Sequence, residues 1–223
     1  MKIQIYSHKT PEDALMSAKL GVDFVGVATG ERGRLPLEVS YARCRDIFSA
    51  VSNDYHVSKV ALTVSDDLDE IVETVAQVKP DVIHLSGDID SMPVGKVAKL
   101  KGIISSTKIM QAIPVIDEST IDLSLRYQAF CDYIILDTDI KSFTGIGATG
   151  STHDWSISSK IVESVNIPVV LAGGLSSQNV AEAIRIVKPW CVDSFTHTNI
   201  FDSRAKDPEK IRSFVESATN CYE

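Results

Sequence analysis

Pro168-Val169-Val170-Leu171-Ala172-Gly173-Gly174-Leu175, then an amphipathic stretch over Ser177–Val187, then Cys191-Val192-Asp193-Ser194: this segment decides the reading of the whole chain. It spells strand, glycine turn, helix, strand. Neither apolar run alternates with polar residues, so each strand is buried on both faces, as strands of parallel sheets are. Parallel neighbours need a long crossover, and the helix supplies one.

Working outward, the same unit recurs. Strands are predicted at Lys2–Tyr6, Asp23–Ala28, Lys59–Val64, Asp81–Leu85, Lys108–Ala112 and Tyr133–Asp137. Pro11–Leu20 reads as a helix, with Thr10 as N-cap, Pro11 at its first position and Gly21 as its stop. Further helices are predicted at Val39–Val51, Pro93–Leu100, Thr120–Phe130 and Trp155–Ser164, and from Asp207-Pro208 to about Ala218. Ser65 is the expected cap of another, whose Leu68, Ile71, Val72, Val75 and Val78 form a core-facing stripe. Eight such units in 223 residues predict an α/β chain folded as one (β/α)8 TIM barrel spanning residues 1–223. The competing architecture is a doubly wound open sheet, but no GxGxxG follows the first strand.

Composition narrows the function. With 22 Lys+Arg against 30 Asp+Glu, the net charge of -8 repels phosphate backbones, so no nucleic-acid partner is expected. No apolar run reaches the length of a membrane span, and the start is too polar for a secretory signal. Cys44, Cys131, Cys191 and Cys221 form no CxxC pair and read as reduced thiols of a cytoplasmic protein.

A TIM barrel places its chemistry where strands end and βα loops begin. Those positions hold Tyr6 and His8, Arg32 and Arg34, His84 and Ser86, Gln111, Asp137 and Asp139, Gly173-Gly174, Asp193, Thr196 and His197. The glycine pair before a helix N-terminus suits a phosphate. Asp137, at the end of an apolar run, is placed to hold its proton and act as a general acid. The Gly-rich segment Gly145–Gly150 reads as a lid over the site.

Several motifs then stand out. Thr149-Gly150-Ser151-Thr152-His153-Asp154-Trp155, preceded by Leu136-Asp137-Thr138, resembles the phosphoribosylanthranilate isomerase family. So do Glu12-Asp13-Ala14-Leu15, Leu85-Ser86-Gly87-Asp88, Leu171-Ala172-Gly173-Gly174-Leu175 with Asn179-Val180, and Val192-Asp193. The resemblance implies a barrel without metal or organic cofactor. It implies an Amadori rearrangement that turns a phosphoribosylamine of anthranilate into the 1-deoxyribulose phosphate, in tryptophan biosynthesis. Asp137 falls at the family's general acid, Arg34 near its carboxylate-binding arginine, and Gly173, Gly174 and Thr196 at its phosphate contacts. His84 and Ser86 fall at a further substrate-facing motif.

The chain departs from the pattern where the family keeps its base. The family's strand-1 cysteine is replaced by Tyr6, and the following glycine by Ser7. Tyr6 is the replacement base by alignment; His8, expected on the same strand face, is the replacement by reference pKa. The glycine after strand 8 is His197, and the family's Gln-Leu-His-Gly reads His84-Leu85-Ser86-Gly87. Two other readings stay open. One is a homologue that binds a sugar phosphate as a sensor or partner protein. The other is a metal-dependent sugar-phosphate epimerase or aldolase, with His8, His84, His197 and Asp137 around a divalent ion. Either a monomer or a homodimer is compatible with the sequence.

Overall fold

The computed structural model describes residues 1–51, 55–138, 152–201, 203 and 205–221. The strands are β1 (Lys2–Ile5), β2 (Phe24–Ala28), β3 (Ser58–Thr63), β4 (Val82–Leu85), β5 (Lys108–Val115), β6 (Tyr133–Thr138), β7 (Val169–Leu171) and β8 (Cys191–Ser194). They pair in parallel, in chain order, and β8 closes on β1, so the open-sheet alternative falls away. The helices are α1 (Pro11–Lys19), α2 (Tyr41–Val51), α3 (Leu68–Val78), α4 (Val94–Ile103), α5 (Ser119–Tyr127), α6 (Trp155–Ser164), α7 (Val180–Val187) and α8 (Pro208–Thr219).

Local chemistry explains the helix starts. Thr10 accepts a hydrogen bond from the Asp13 N–H at 3.1 Å, with Pro11 behind it. Asp207 accepts from the N–H groups of Glu209 and Lys210 ahead of α8. Three expected starts move: α2 begins at Tyr41 rather than Val39, and the other two have a visible cause. α3 is capped by Asp67, because the Ser65 hydroxyl instead donates to Glu70 at 2.7 Å. α7 begins at Val180 rather than Ser177, because Asn179 is spent on the preceding turn: Oδ1 accepts from Ser176 N at 2.8 Å and Nδ2 donates to the Gly174 carbonyl.

Strand residues alternate between two apolar bodies. Ile3, Ile5, Val25, Val27, Ile134 and Leu136 pack outward beneath the helices. Phe24, Val60, Val82, Met110, Tyr133 and Ile135 fill the interior. The inner face thus makes a packed core, and what varies is its upper end, where polar residues replace apolar ones.

Candidate active site

At the C-terminal end of the strands, a cleft is lined by Asp137, Gly173, Gly174, Leu175, Asp193, Ser194, Phe195, Thr196 and His197. β6, β7 and β8 supply it in succession. Gly173 and Gly174 have φ of 82° and 61°, a conformation that side chains disfavour. Gly173 also has no room for a side chain. A Cβ there would lie 2.6 Å from Thr138 Oγ1, 3.0 Å from His153 Nδ1 and 3.3 Å from Asp137 Oδ1.

Burial pushes the Asp137 carboxyl up to about 7, although the Thr138 N–H donates to Oδ1 at 2.7 Å and pulls the other way. Asp193 is pushed up to about 8, first by burial and then by the neighbouring Asp137 charge. Its Oδ1 is buried and has no hydrogen-bond partner among the described residues. The cleft therefore holds two carboxyls that resist ionising together.

On the β1 side, the Tyr6 hydroxyl meets His84 Nδ1 at 2.9 Å across the barrel interior. Gly26 makes that path possible, since a Cβ there would come within 2.2 Å of the Tyr6 ring. Burial, then the Asp193 and Cys191 charges, push the phenol well above its usual range. Burial also lowers His84 to about 3, and its Nε2 has no partner among the described residues.

His8 goes elsewhere. β1 ends at Ile5, and the expected shared face with Tyr6 does not form. The imidazole turns toward α1 and β2, with Nε2 at 2.8 Å from Ser17 Oγ and Nδ1 at 3.1 Å from the Gly26 carbonyl. It is fully buried, and burial with the Lys206 charge lowers it to about 3. His8 is not among the residues lining the cleft, and both ring nitrogens are engaged. The imagined metal set of His8, His84, His197 and Asp137 does not converge either: no such cluster exists among the described residues.

Arg34 lies at the same end of the barrel, in the loop after β2. The Glu38 carboxylate accepts the backbone N–H groups of Arg32, Gly33 and Arg34 and folds this loop. The Arg34 guanidinium donates to Glu70 Oε2 at 2.8 Å, and Arg32 shares that oxygen at 3.3 Å. Ser86 is buried at the end of β4. Residues 145–150, read as a lid, lie outside the described residues.

The sequence profile of N-(5'-phosphoribosyl)anthranilate isomerase matches residues 6–217. The chain belongs to that family. The N-(5'-phosphoribosyl)anthranilate isomerase 2 of Methanosarcina mazei is 34% identical over all of this chain and 96% of its own. The phosphoribosyl anthranilate isomerase structure from Thermotoga maritima superposes with a TM-score of 0.82, at 26% identity and 99% coverage of both chains. A family structure in complex with reduced 1-(o-carboxyphenylamino)-1-deoxyribulose 5-phosphate gives 0.79 at 25% identity, again covering 99% of each.

Within the family frame, two departures from the expected motifs turn out to touch. Tyr6, in place of cysteine, and His84, in place of glutamine, are the partners of the bond across the barrel. Sequence reasoning missed three residues here. His153 hydrogen-bonds Ser158 through Nε2 at 2.7 Å and brings to the Gly173 turn an Nδ1 with no partner among the described residues. Asp193 was visible only as one strand-end residue among many. Lys206 gave no signal, yet its Nζ donates to the Tyr6 carbonyl and, at 2.7 Å, to Asn199 Oδ1. It closes the seam where β1 and β8 stop pairing, and burial lowers it to about 7.

Proposed function

We infer that this chain is an N-(5'-phosphoribosyl)anthranilate isomerase, an intramolecular aldose–ketose isomerase of tryptophan biosynthesis. Family membership and the relatives' activity support that reading. The observation that carries it to the level of chemistry is a single cleft uniting a carboxyl that keeps its proton near neutrality with a glycine turn open to phosphate.

The proposed course follows from those groups. The substrate's phosphate is proposed to lie against the Gly173-Gly174 backbone, since the two glycines carry no side chain of their own, with the Thr196 hydroxyl beside it. Asp137 gives its proton to the ribose ring oxygen. The C1–O bond breaks, and C1 becomes a Schiff base with the anthranilate nitrogen. A base removes the proton from C2, and the resulting enolamine settles as the ketone. A carboxyl near 7 is half protonated at neutral pH and so can deliver that proton without a prohibitive cost. Arg34 is the proposed contact for the anthranilate carboxylate, already oriented by Glu70. Ser86 and His84 are proposed to line the sugar side.

No described helix is long and apolar enough to cross a membrane, which fits the proposed cytoplasmic setting. A single domain, monomeric or paired in a homodimer, is the proposed working unit. The test is loss of phosphoribosylanthranilate fluorescence with purified protein, together with rescue of a tryptophan auxotroph. Turnover and rescue support the isomerase. Tight binding without turnover would favour a sensor instead.

A further inference from the structure

Resting on the isomerase reading, we propose that Asp193 on β8 is the proton acceptor of this enzyme, in the place the family gives to a strand-1 cysteine. Position argues for it first. β8 is the ladder neighbour of β1, with Asp193 paired to Gln4, so this carboxyl stands next to the strand that has lost its thiol. It lines the same cleft as Asp137, with the Gly173-Gly174 turn between them. Its residue is only 7% exposed, and Oδ1 has no hydrogen-bond partner among the described residues. A buried carboxyl oxygen with nothing to bond is unfavourable unless a ligand or a water meets it.

Elimination argues second. The Tyr6 hydroxyl is committed to His84 and is driven further from ionising, and His8 faces α1. Electrostatics argues third. Around Asp193 stand Asp137 from β6, Gln4 from β1, Lys206 ahead of α8 and Cys191 on its own strand. Gln4 and Lys206 favour its charged form; burial and Asp137 oppose it more strongly. The two carboxyls then share one proton around neutrality; the reactive form is the one that carries it on Asp137 and leaves Asp193 ionised, and proton exchange within the pair supplies that form.

The proton balance closes. Asp137 gives its proton to the ring oxygen and becomes a carboxylate. The Asp193 carboxylate takes the proton from C2; the C2–H electron pair becomes the C1–C2 double bond, and the C1–N π pair returns to nitrogen. The enolamine then loses its 2-hydroxyl proton and gains one at C1, with no net change. One proton passing from Asp193 to Asp137 resets the pair.

The experiment uses the full chain with phosphoribosylanthranilate carrying hydrogen or deuterium at C2. Wild-type turnover establishes the isomerase; without it, that reading and this proposal fall together. With an active wild type, Asp193→Asn is expected to lower kcat about 10²–10⁴-fold. Binding of the reduced product analogue is expected to stay within about tenfold, which also reports that the variant is folded. In Asp193→Ala, added formate is expected to restore part of the lost rate, as a small base filling the vacated position. An Asp193→Asn enzyme keeping more than a tenth of wild-type kcat would overturn the proposal while leaving the isomerase intact. So would a loss confined to KM, or the absence of any rescue by formate in a folded Asp193→Ala.

Discussion

Gly173→Ala tests the link between backbone shape and catalysis. The substitution carries two separable costs. At φ 82° an L side chain is strained whatever the space around it, by about 1–2 kcal/mol. In a chain of this length about 1 kcal/mol moves Tm by about 2–4 °C, so strain alone lowers Tm by about 2–8 °C. The second cost is steric. The new Cβ would sit 2.6 Å from Thr138 Oγ1, 3.0 Å from His153 Nδ1 and 3.3 Å from Asp137 Oδ1. To reach ordinary contact near about 3.4 Å, Thr138 must recede by about 0.8 Å, and its N–H carries the Asp137 carboxylate with it. A displacement near 1 Å at a reacting group costs about 10²-fold in rate. Gly33→Ala is the internal control, because φ is 62° there and nothing lies within 4 Å of the added Cβ. Thermal melts and steady-state kinetics on both variants separate the terms. Both should lose stability through the same backbone strain, Gly173→Ala by more because of the added collision, while only Gly173→Ala should lose about 10²-fold in kcat/KM. If Gly173→Ala keeps kcat/KM within threefold, the packing of this turn against Asp137 does not set the acid's position, and the reasoning fails.

Asp137→Asn should cost about 10²–10⁴-fold in kcat. It should also stabilise the fold at alkaline pH. The folded-state pKa near 7 lies above the unfolded value, so the folded chain holds more protons between the two and loses stability as pH rises through that window; melts of both proteins at pH 6 and 8.5 check the sign. The pH profile of wild-type kcat/KM should be bell-shaped with limbs near 7 and 8, as expected for a carboxyl pair carrying one proton; a flat profile from 6 to 9 would contradict it. Gly26→Ala should destabilise by about 1–3 kcal/mol through its collision with the Tyr6 ring, and Tyr6→Cys in the same chain should return most of that loss; additive losses in denaturant melts would deny the contact. For His8, the folded value near 3 lies below the unfolded one, so its contribution is present above pH 6.5 and is lost as pH falls below it. His8→Gln should therefore flatten the decline of Tm between pH 7 and 5, and an unchanged slope would show that His8 does not titrate on unfolding.

The barrel was written into the sequence because its signals are local and repeated. Apolar runs such as Tyr133-Ile134-Ile135-Leu136 mark strands buried on both faces, and Thr10-Pro11 and Asp207-Pro208 mark helix starts within three or four residues. Gly173-Gly174 and Asp137 were legible for the same reason: each is defined by its own strand end. The proposed proton acceptor, Asp193, was not. His8 was favoured on its reference pKa and an assumed strand face, yet β1 ends before the alternation reaches it. Its environment then moved that pKa by burial, which no reference value contains.

What the sequence determined by itself was the number and order of βα units, the family and the presence of the glycine turn and Asp137 at the strand ends, because these depend on patterns within a few residues. What only the tertiary structure decided was which distant residues meet. Tyr6 reaches His84 over Gly26, Lys206 closes the β1–β8 seam, and Asp193 shares a cleft with Asp137. Barrel closure sets those encounters, since it brings the last strand beside the first, and the same closure removes the water that would otherwise hold each group at its ordinary pKa.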